Sequence, residues 1–202
     1  MKIFAIADIH CNIDLLIQDW SDIDLILIAG DLTHVGRVNE YIHVFEWLYG
    51  ISEKYLIPVV YTLGNHDGKR NHNIVLNRFT KYKNFICLEN EIIDVKGLKI
   101  YGSPYTRYIG WYNHYRTLDE CQDLTLPKEP VDIILSHEPP DIKELSYGYA
   151  CNNELLKYLH EHTGIIGIFG HIHECGGNIV EINGNTCYNV AKKPKIIELE
   201  IA

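Results

Sequence analysis

Five apolar runs in this chain each stop abruptly at a short motif of aspartate, asparagine or histidine. The runs are Ile3–Ala7, Ile23–Ala29, Val59–Leu63, Val131–Leu135 and Ile165–Phe169. The motifs that follow are Asp8-Ile9-His10, Gly30-Asp31, Gly64-Asn65-His66-Asp67, Ser136-His137 and Gly170-His171-Ile172-His173. Short, nearly continuous apolar runs bounded by glycine read as strands buried on both faces. In α/β sheets, ligands gather outside the carboxyl ends of the strands. These strands therefore carry their polar residues to one sheet edge. Carboxylates, imidazoles and a carboxamide are donors that divalent first-row metals accept.

The intervening chain supplies helices and hairpins. Asn12–Trp20 and Gly36–Gly50 read as helices, the second from the spacing of Val38, Tyr41, Ile42, Phe45, Leu48 and Tyr49. Shorter strands are expected at Asn84–Leu88, Glu91–Val95 and Leu98–Tyr101, the last two joined through Lys96-Gly97. A helical stretch near Asn152–His162 precedes a hairpin whose strands, Asn178–Ile182 and Asn185–Val190, flank Asn183-Gly184, and a last strand spans Lys195–Ile201. Between Ser103 and Pro130 the periodicity breaks down and Tyr105, Tyr108, Trp111, Tyr112, His114 and Tyr115 crowd together. Residues 1–202 are expected to form a single α/β domain, a two-layered mixed β sandwich flanked by helices.

Charge and cysteine usage narrow the function. With 27 acidic against 18 basic residues and a net charge of −9, the chain lacks the basic face of a broad nucleic-acid surface. Bound metal ions would supply positive charge locally. No apolar stretch approaches the length of a membrane span, and the first residues lack a signal-peptide pattern. The 6 cysteines are scattered without a Cys-x-x-Cys pair, which suits reduced thiols in the cytoplasm. Cys11 and Cys175 adjoin the polar motifs and read as small loop residues.

In type and order these motifs resemble the calcineurin-like metallophosphoesterase family, whose pattern is Asp-x-His, Gly-Asp, Gly-Asn-His-(Asp/Glu), a lone His and Gly-His-x-His. All of them occur between Asp8 and His173. Gly30–Thr33, Tyr101–Pro104, His137–Pro140 and Gly170–Glu174 are similar to segments of the small metallophosphoesterase-domain proteins. The resemblance implies a dinuclear, metal-dependent phosphoesterase that hydrolyses small phosphodiesters, of cyclic-nucleotide type, by a hydroxide bridging the metals. Asp8, His10, Asp31 and His173 would bind one ion and Asp31, Asn65, His137 and His171 the other. Manganese is the first expectation, with iron, zinc, cobalt and nickel also admitted by this donor set.

His66 is expected, by the same resemblance, to contact the substrate phosphate and protonate the leaving oxygen, with the neighbouring Asp67 carboxylate orienting its ring. If His171-Ile172-His173 were extended, both imidazoles would point the same way. His34 is placed at the pocket, and Trp111 and Tyr105 are candidates for stacking against a nucleobase. His43, His72, His160 and His162 read as surface or helix-face residues, His114 as a residue of the aromatic segment, and Lys69 and Arg70 as solvated charges.

A phosphomonoesterase or nuclease of the same family, and a non-catalytic scaffold retaining the fold, are the competing readings. The acidic balance weighs against a nuclease, and the intact set of ligands weighs against a scaffold. A protein phosphatase would carry Asp-Arg-Gly where this chain has His34-Val35-Gly36.

Overall fold

The computed structural model describes residues 1–16, 18–79, 84–107 and 126–200. Its first sheet is built on β1 (Lys2–Ile6), β2 (Leu25–Ala29), β3 (Val59–Thr62) and β4 (Phe85–Leu88), which run parallel in that order. The second contains β5 (Glu91–Val95), β6 (Leu98–Ser103), β7 (Ile133–Ser136), β8 (Ile166–Phe169), β9 (Ile179–Ile182) and β10 (Asn185–Asn189), in the order β5-β6-β7-β8-β10-β9. A final strand, β11 (Lys195–Glu198), returns to the first sheet and pairs antiparallel with β1.

Alternation along each strand builds three apolar layers. Ile3, Ala5, Leu25, Leu27 and Val60 face inward and meet Ile100, Ile133, Leu135 and Ile168 of the opposite sheet. Phe4, Ile6, Ile26, Ile28 and Tyr61 face outward and lie under Tyr41, Val44, Phe45 and Leu48 of helix α1 (Val38–Tyr55). A short helix α2 (Lys69–Leu76) adds Val75 to the same layer. Beyond the one-turn α3 (Lys143–Ser146), helix α4 (Asn153–Glu161) covers the outer face of the second sheet with Leu155, Tyr158 and Leu159. The central strands β1, β2, β3, β7 and β8 are thus buried on both faces, which explains why they read as nearly unbroken apolar runs. The expected two-layered sandwich with flanking helices is the observed architecture.

Both predicted hairpins form with Val95 opposite Leu98 and Ile182 opposite Asn185. Their turn residues, Lys96-Gly97 and Asn183-Gly184, all have positive φ, as a tight primed turn requires. Other boundaries differ from expectation. In place of a helix over Asn12–Trp20 there is one 3₁₀ turn, Ile13–Leu16. Asp19 then accepts a hydrogen bond from Ser21 N–H, a local bond that competes with helix, and Trp20 turns inward against Phe4. Helix α2 was not expected, because only His72 and Val75 of its residues are buried and so few points trace no stripe. The last strand is shorter than Lys195–Ile201.

Candidate metal centre

The parallel strands β1, β2, β3, β7 and β8 all end at the same rim, and the loops after them are laced together by backbone hydrogen bonds. Asp8 N–H donates to Gly30 O at 3.0 Å, and His10 N–H to Asp31 O at 3.0 Å. Asp31 Oδ1 accepts from His66 N–H at 2.9 Å, which ties in the loop after β3. Among the bonds that cross between the sheets, His171 N–H donates to Asp8 Oδ2 at 2.9 Å, and His137 Nδ1 to Ala29 O at 2.7 Å. Asp8, His10, Asp31 and His171 all hold left-handed backbone conformations. Such conformations cost roughly 1–2 kcal/mol each in non-glycine residues and cluster at functional sites.

The seven predicted ligands converge. His10 Nε2 lies 3.4 Å from His173 Nε2 and 3.8 Å from Asp8 Oδ1, and His173 Nε2 lies 2.9 Å from that same oxygen. His10 Nδ1 donates to Thr33 O at 3.0 Å, so a neutral His10 ring turns the Nε2 lone pair toward this point. On the other side, His137 Nε2 lies 3.0 Å from Asn65 Oδ1 and 3.3 Å from Asp31 Oδ1. Asp31 Oδ2 is 3.8 Å from His10 Nε2, so this one carboxylate faces both groups. The His171 ring stands against that of His137, with centroids 5.1 Å apart.

The donor chemistry fits cations. Asn65 turns its oxygen, not its amide nitrogen, toward His137, and the buried nitrogen has no hydrogen-bond partner among the described residues. Oxygen inward suits a positive charge, whether a metal cation or, without one, the His137 imidazolium. Gly64 leaves the necessary room, since a Cβ there would collide with the Asp31 carboxylate and come within 2.7 Å of His137 Nε2.

Electrostatics at the rim are strongly coupled. Burial alone would lower the His137 pKa, but Asp31 beside it outweighs burial and raises it to about 10. The same contact works in reverse on Asp31: burial pushes its carboxyl up, yet His137, His66 and His10 together hold it well below the carboxylate range. Burial and then the nearby His137 lower His171 to about 4, leaving its ring neutral and available as a ligand at ordinary pH.

His66 is half-buried beside this cluster, its Nδ1 donating to His34 O at 2.6 Å and its Nε2 3.9 Å from Asp31 Oδ2. The carbonyl of His34, rather than the Asp67 carboxylate, therefore orients the imidazole. Asp67 is fully buried and accepts from Leu32 N–H, Thr33 N–H, Thr33 Oγ1 and Gly64 N–H at 2.7–3.1 Å. It clamps the loops after β2 and β3 together. Burial and the Asp31 charge push its carboxyl up to about 7, against the pull of those donors.

Other expectations resolve individually. The segment His171-Ile172-His173 is not extended: the left-handed turn at His171 sends its two rings to opposite sides of the cluster. His34 stacks on His10 with centroids 5.6 Å apart and lines the cavity beside it. Tyr105 packs against the helix-side core and its hydroxyl donates to Glu89. Trp111 and His114 lie outside the described residues. His72 is not a surface residue but is buried under α1, its Nε2 2.8 Å from Tyr61 Oη. Lys69 and Arg70 are exposed charges, as expected, and Lys69 pairs with Glu89.

Sequence reasoning missed two contributors. Thr33 holds His10 through its carbonyl and Asp67 through its hydroxyl, and its place beside Gly30-Asp31 was the available signal. Glu138, next to His137, is buried and accepts from Arg107 N–H at 2.9 Å; burial raises its carboxyl to about 7. Nothing in its local sequence marks it as buried.

The family model for calcineurin-like phosphoesterases matches residues 1–175, spanning every one of these motifs. The chain belongs to that family. It is a metal-dependent phosphoester hydrolase with an Asp/His cluster able to hold metal. It is 25% identical over 98% of its length to metallophosphoesterase domain-containing protein 1 of Homo sapiens, covering 71% of that protein. It is 33% identical over 45% of its length to a probable cyclic nucleotide phosphodiesterase of Vesicomyosocius okutanii subsp. Calyptogena okutanii, covering 38% of it. A crystal structure with a TM-score of 0.66 and 12% identity matches 94% of this chain and 90% of its own, and so shares the fold. Among the described residues, no helix is long and apolar enough to cross a membrane.

Proposed function

We propose that this phosphoesterase hydrolyses small phosphodiesters of cyclic-nucleotide type, with two divalent cations, manganese first among them. The observation that carries the reading is the placement of Asp31, whose two carboxylate oxygens face separate groups of predicted ligands. Asp8, His10 and His173 would hold one cation; Asn65, His137 and His171 the other; Asp31 would serve both. When bound, such a pair neutralises the phosphate and lowers the pKa of a water so that hydroxide is available near neutral pH.

The chain's own residues supply the rest. His66 has its Nδ1 proton committed to His34 O, so an imidazolium at this position offers its other proton, on Nε2, to the leaving oxygen. Thr33 and Ala29 fix the tautomers of His10 and His137 through their carbonyls, keeping each Nε2 directed at the cluster. Asp67 maintains the spacing between the loops that carry Asp31 and Asn65. The similarity to a probable cyclic nucleotide phosphodiesterase supports the substrate class.

Purified protein treated with chelator and reloaded with manganese should bind two equivalents and cleave a 2′,3′-cyclic nucleotide and an aryl phosphodiester. Metal uptake without turnover of any phosphodiester would count for the scaffold reading. Turnover confined to monoesters would overturn the substrate class.

A further inference from the structure

A cavity of about 330 Å³ opens beside the Asp8–His10 edge of the cluster. Asp8, His10 and His34 line it toward the predicted metal positions, Ile9 and Leu15 give it an apolar wall, and Asn12 and Lys192 contribute polar groups. Ligand sites pair largely apolar walls with a few placed polar groups, and this volume lies at their lower end. Lys192 is not among the residues that would hold the cations or orient their ligands, yet it lines this cavity beside them.

Several features place Lys192 there. It follows Ala191, which bridges to Ala7, and its own N–H donates to Ala7 O at 3.0 Å. The backbone from which it projects is therefore fastened to the residue immediately before Asp8. Lys192 also has a left-handed φ of 56°, a conformation that glycine or asparagine adopts at lower cost. The turn sends the two consecutive lysines apart. Lys193 lies over Gly177, where an added Cβ would approach its Cδ to 3.1 Å, and lines a different groove with Asn178 and Tyr188. Lys192 is left on the metal side.

We propose that Lys192 is a specificity-determining residue that holds a second anionic group of the substrate, beyond the phosphate undergoing hydrolysis. This rests on the phosphodiesterase reading above. Among the described residues, Lys192 is the one lysine or arginine side chain lining this cavity, and an ammonium contacts a phosphate or carboxylate as a point charge from a flexible stem. The favoured substrate class is thus a phosphodiester bearing a further phosphate or carboxylate, such as a 2′,3′-cyclic nucleotide with a 5′-phosphate.

The test compares manganese-loaded wild type with Lys192→Gln and Lys192→Arg. Two substrates are used, a 2′,3′-cyclic nucleotide with and without its 5′-phosphate. Calorimetric binding of the matching product pair, a 3′-nucleotide with and without a 5′-phosphate, is measured in parallel. Lys192→Gln should raise KM and Kd for the 5′-phosphorylated member by about tenfold, the range of a partly exposed charge-assisted hydrogen bond. It should leave the other member, kcat and metal content unchanged. Lys192→Arg should recover most of the loss, and added salt should narrow the wild-type preference. An equal change on both members, or none on either, would overturn the assignment while leaving the phosphodiesterase reading intact. Absence of turnover by the loaded wild type would instead strike that underlying reading.

Discussion

His10 and His173 point their Nε2 atoms at one another across 3.4 Å, with Asp8 Oδ1 2.9 Å from the second. Two imidazole nitrogens and a carboxylate oxygen converge there on one point, a donor set that a divalent first-row metal accepts. The partition of ligands predicts unequal losses. His173→Ala should remove close to one equivalent of metal from manganese-loaded protein, whereas Asp31→Asn should remove close to two and abolish hydrolysis. Elemental analysis after gel filtration checks both. Asp31→Asn protein that retains two equivalents would show that the carboxylate is not shared.

His66 should separate chemistry from metal binding. His66→Ala is expected to lower kcat by about 10²–10⁴-fold, the usual contribution of a positioned acid or base, with metal content nearly unchanged. The loss should shrink as the leaving group improves, because a stable leaving anion needs less protonation. A plot of log kcat against leaving-group pKa should therefore be steeper for the variant than for wild type. Stripping of the metals by His66→Ala would falsify this division of labour.

The fold was legible because its central strands are buried on both faces, so Ile3–Ala7 and Val131–Leu135 show as apolar runs whatever their neighbours. The predicted ligands were legible because each terminates such a run. What stayed hidden depends on contacts made across the chain. Asp67 lies next to His66 in sequence, yet its carboxylate bonds back to Leu32 and Thr33 on the preceding loop. The left-handed turn at His171, which separates its ring from that of His173, has no signature beyond the glycine before it. His72 reads as a helix-face residue, and only the fold places Tyr41, Phe45 and Tyr61 around it.

Asp67 provides a stability test that its position beside His66 would not suggest. Four donors surround its carboxylate, and a carboxamide there would set N–H₂ against at least one of them. Asp67→Asn should therefore destabilise the protein by about 1–3 kcal/mol, the cost of a buried polar group left unsatisfied. Urea unfolding of wild type and variant gives the difference. His66, oriented by the His34 carbonyl, should retain its leaving-group dependence in the folded fraction. If that dependence disappears while stability is unchanged, Asp67 acts on the imidazole after all.

His72 should make stability depend on pH in a direction fixed by its surroundings. Its Nδ1 lies 3.0 Å from Asn73 Oδ1 and its Nε2 2.8 Å from Tyr61 Oη, so a neutral ring donates to the first and accepts from the second. Burial lowers its pKa in the folded chain, only partly opposed by Asn73 and Glu89. The unfolded chain, in which a histidine titrates near pH ~6.5, therefore binds more protons here than the folded one. Stability contributed by the neutral ring is complete above that value and is lost as pH falls below it. His72→Gln keeps an acceptor for Tyr61 but cannot titrate. The variant should be less stable than wild type at about pH 7.5, and the gap should narrow steadily toward about pH 5, the slope following proton uptake by the unfolded state. Thermal unfolding of both proteins across that range, in one buffer series with metal held constant, measures the gap. A difference that is flat with pH would mean that His72 keeps its proton balance on folding, and that its burial matters only for packing.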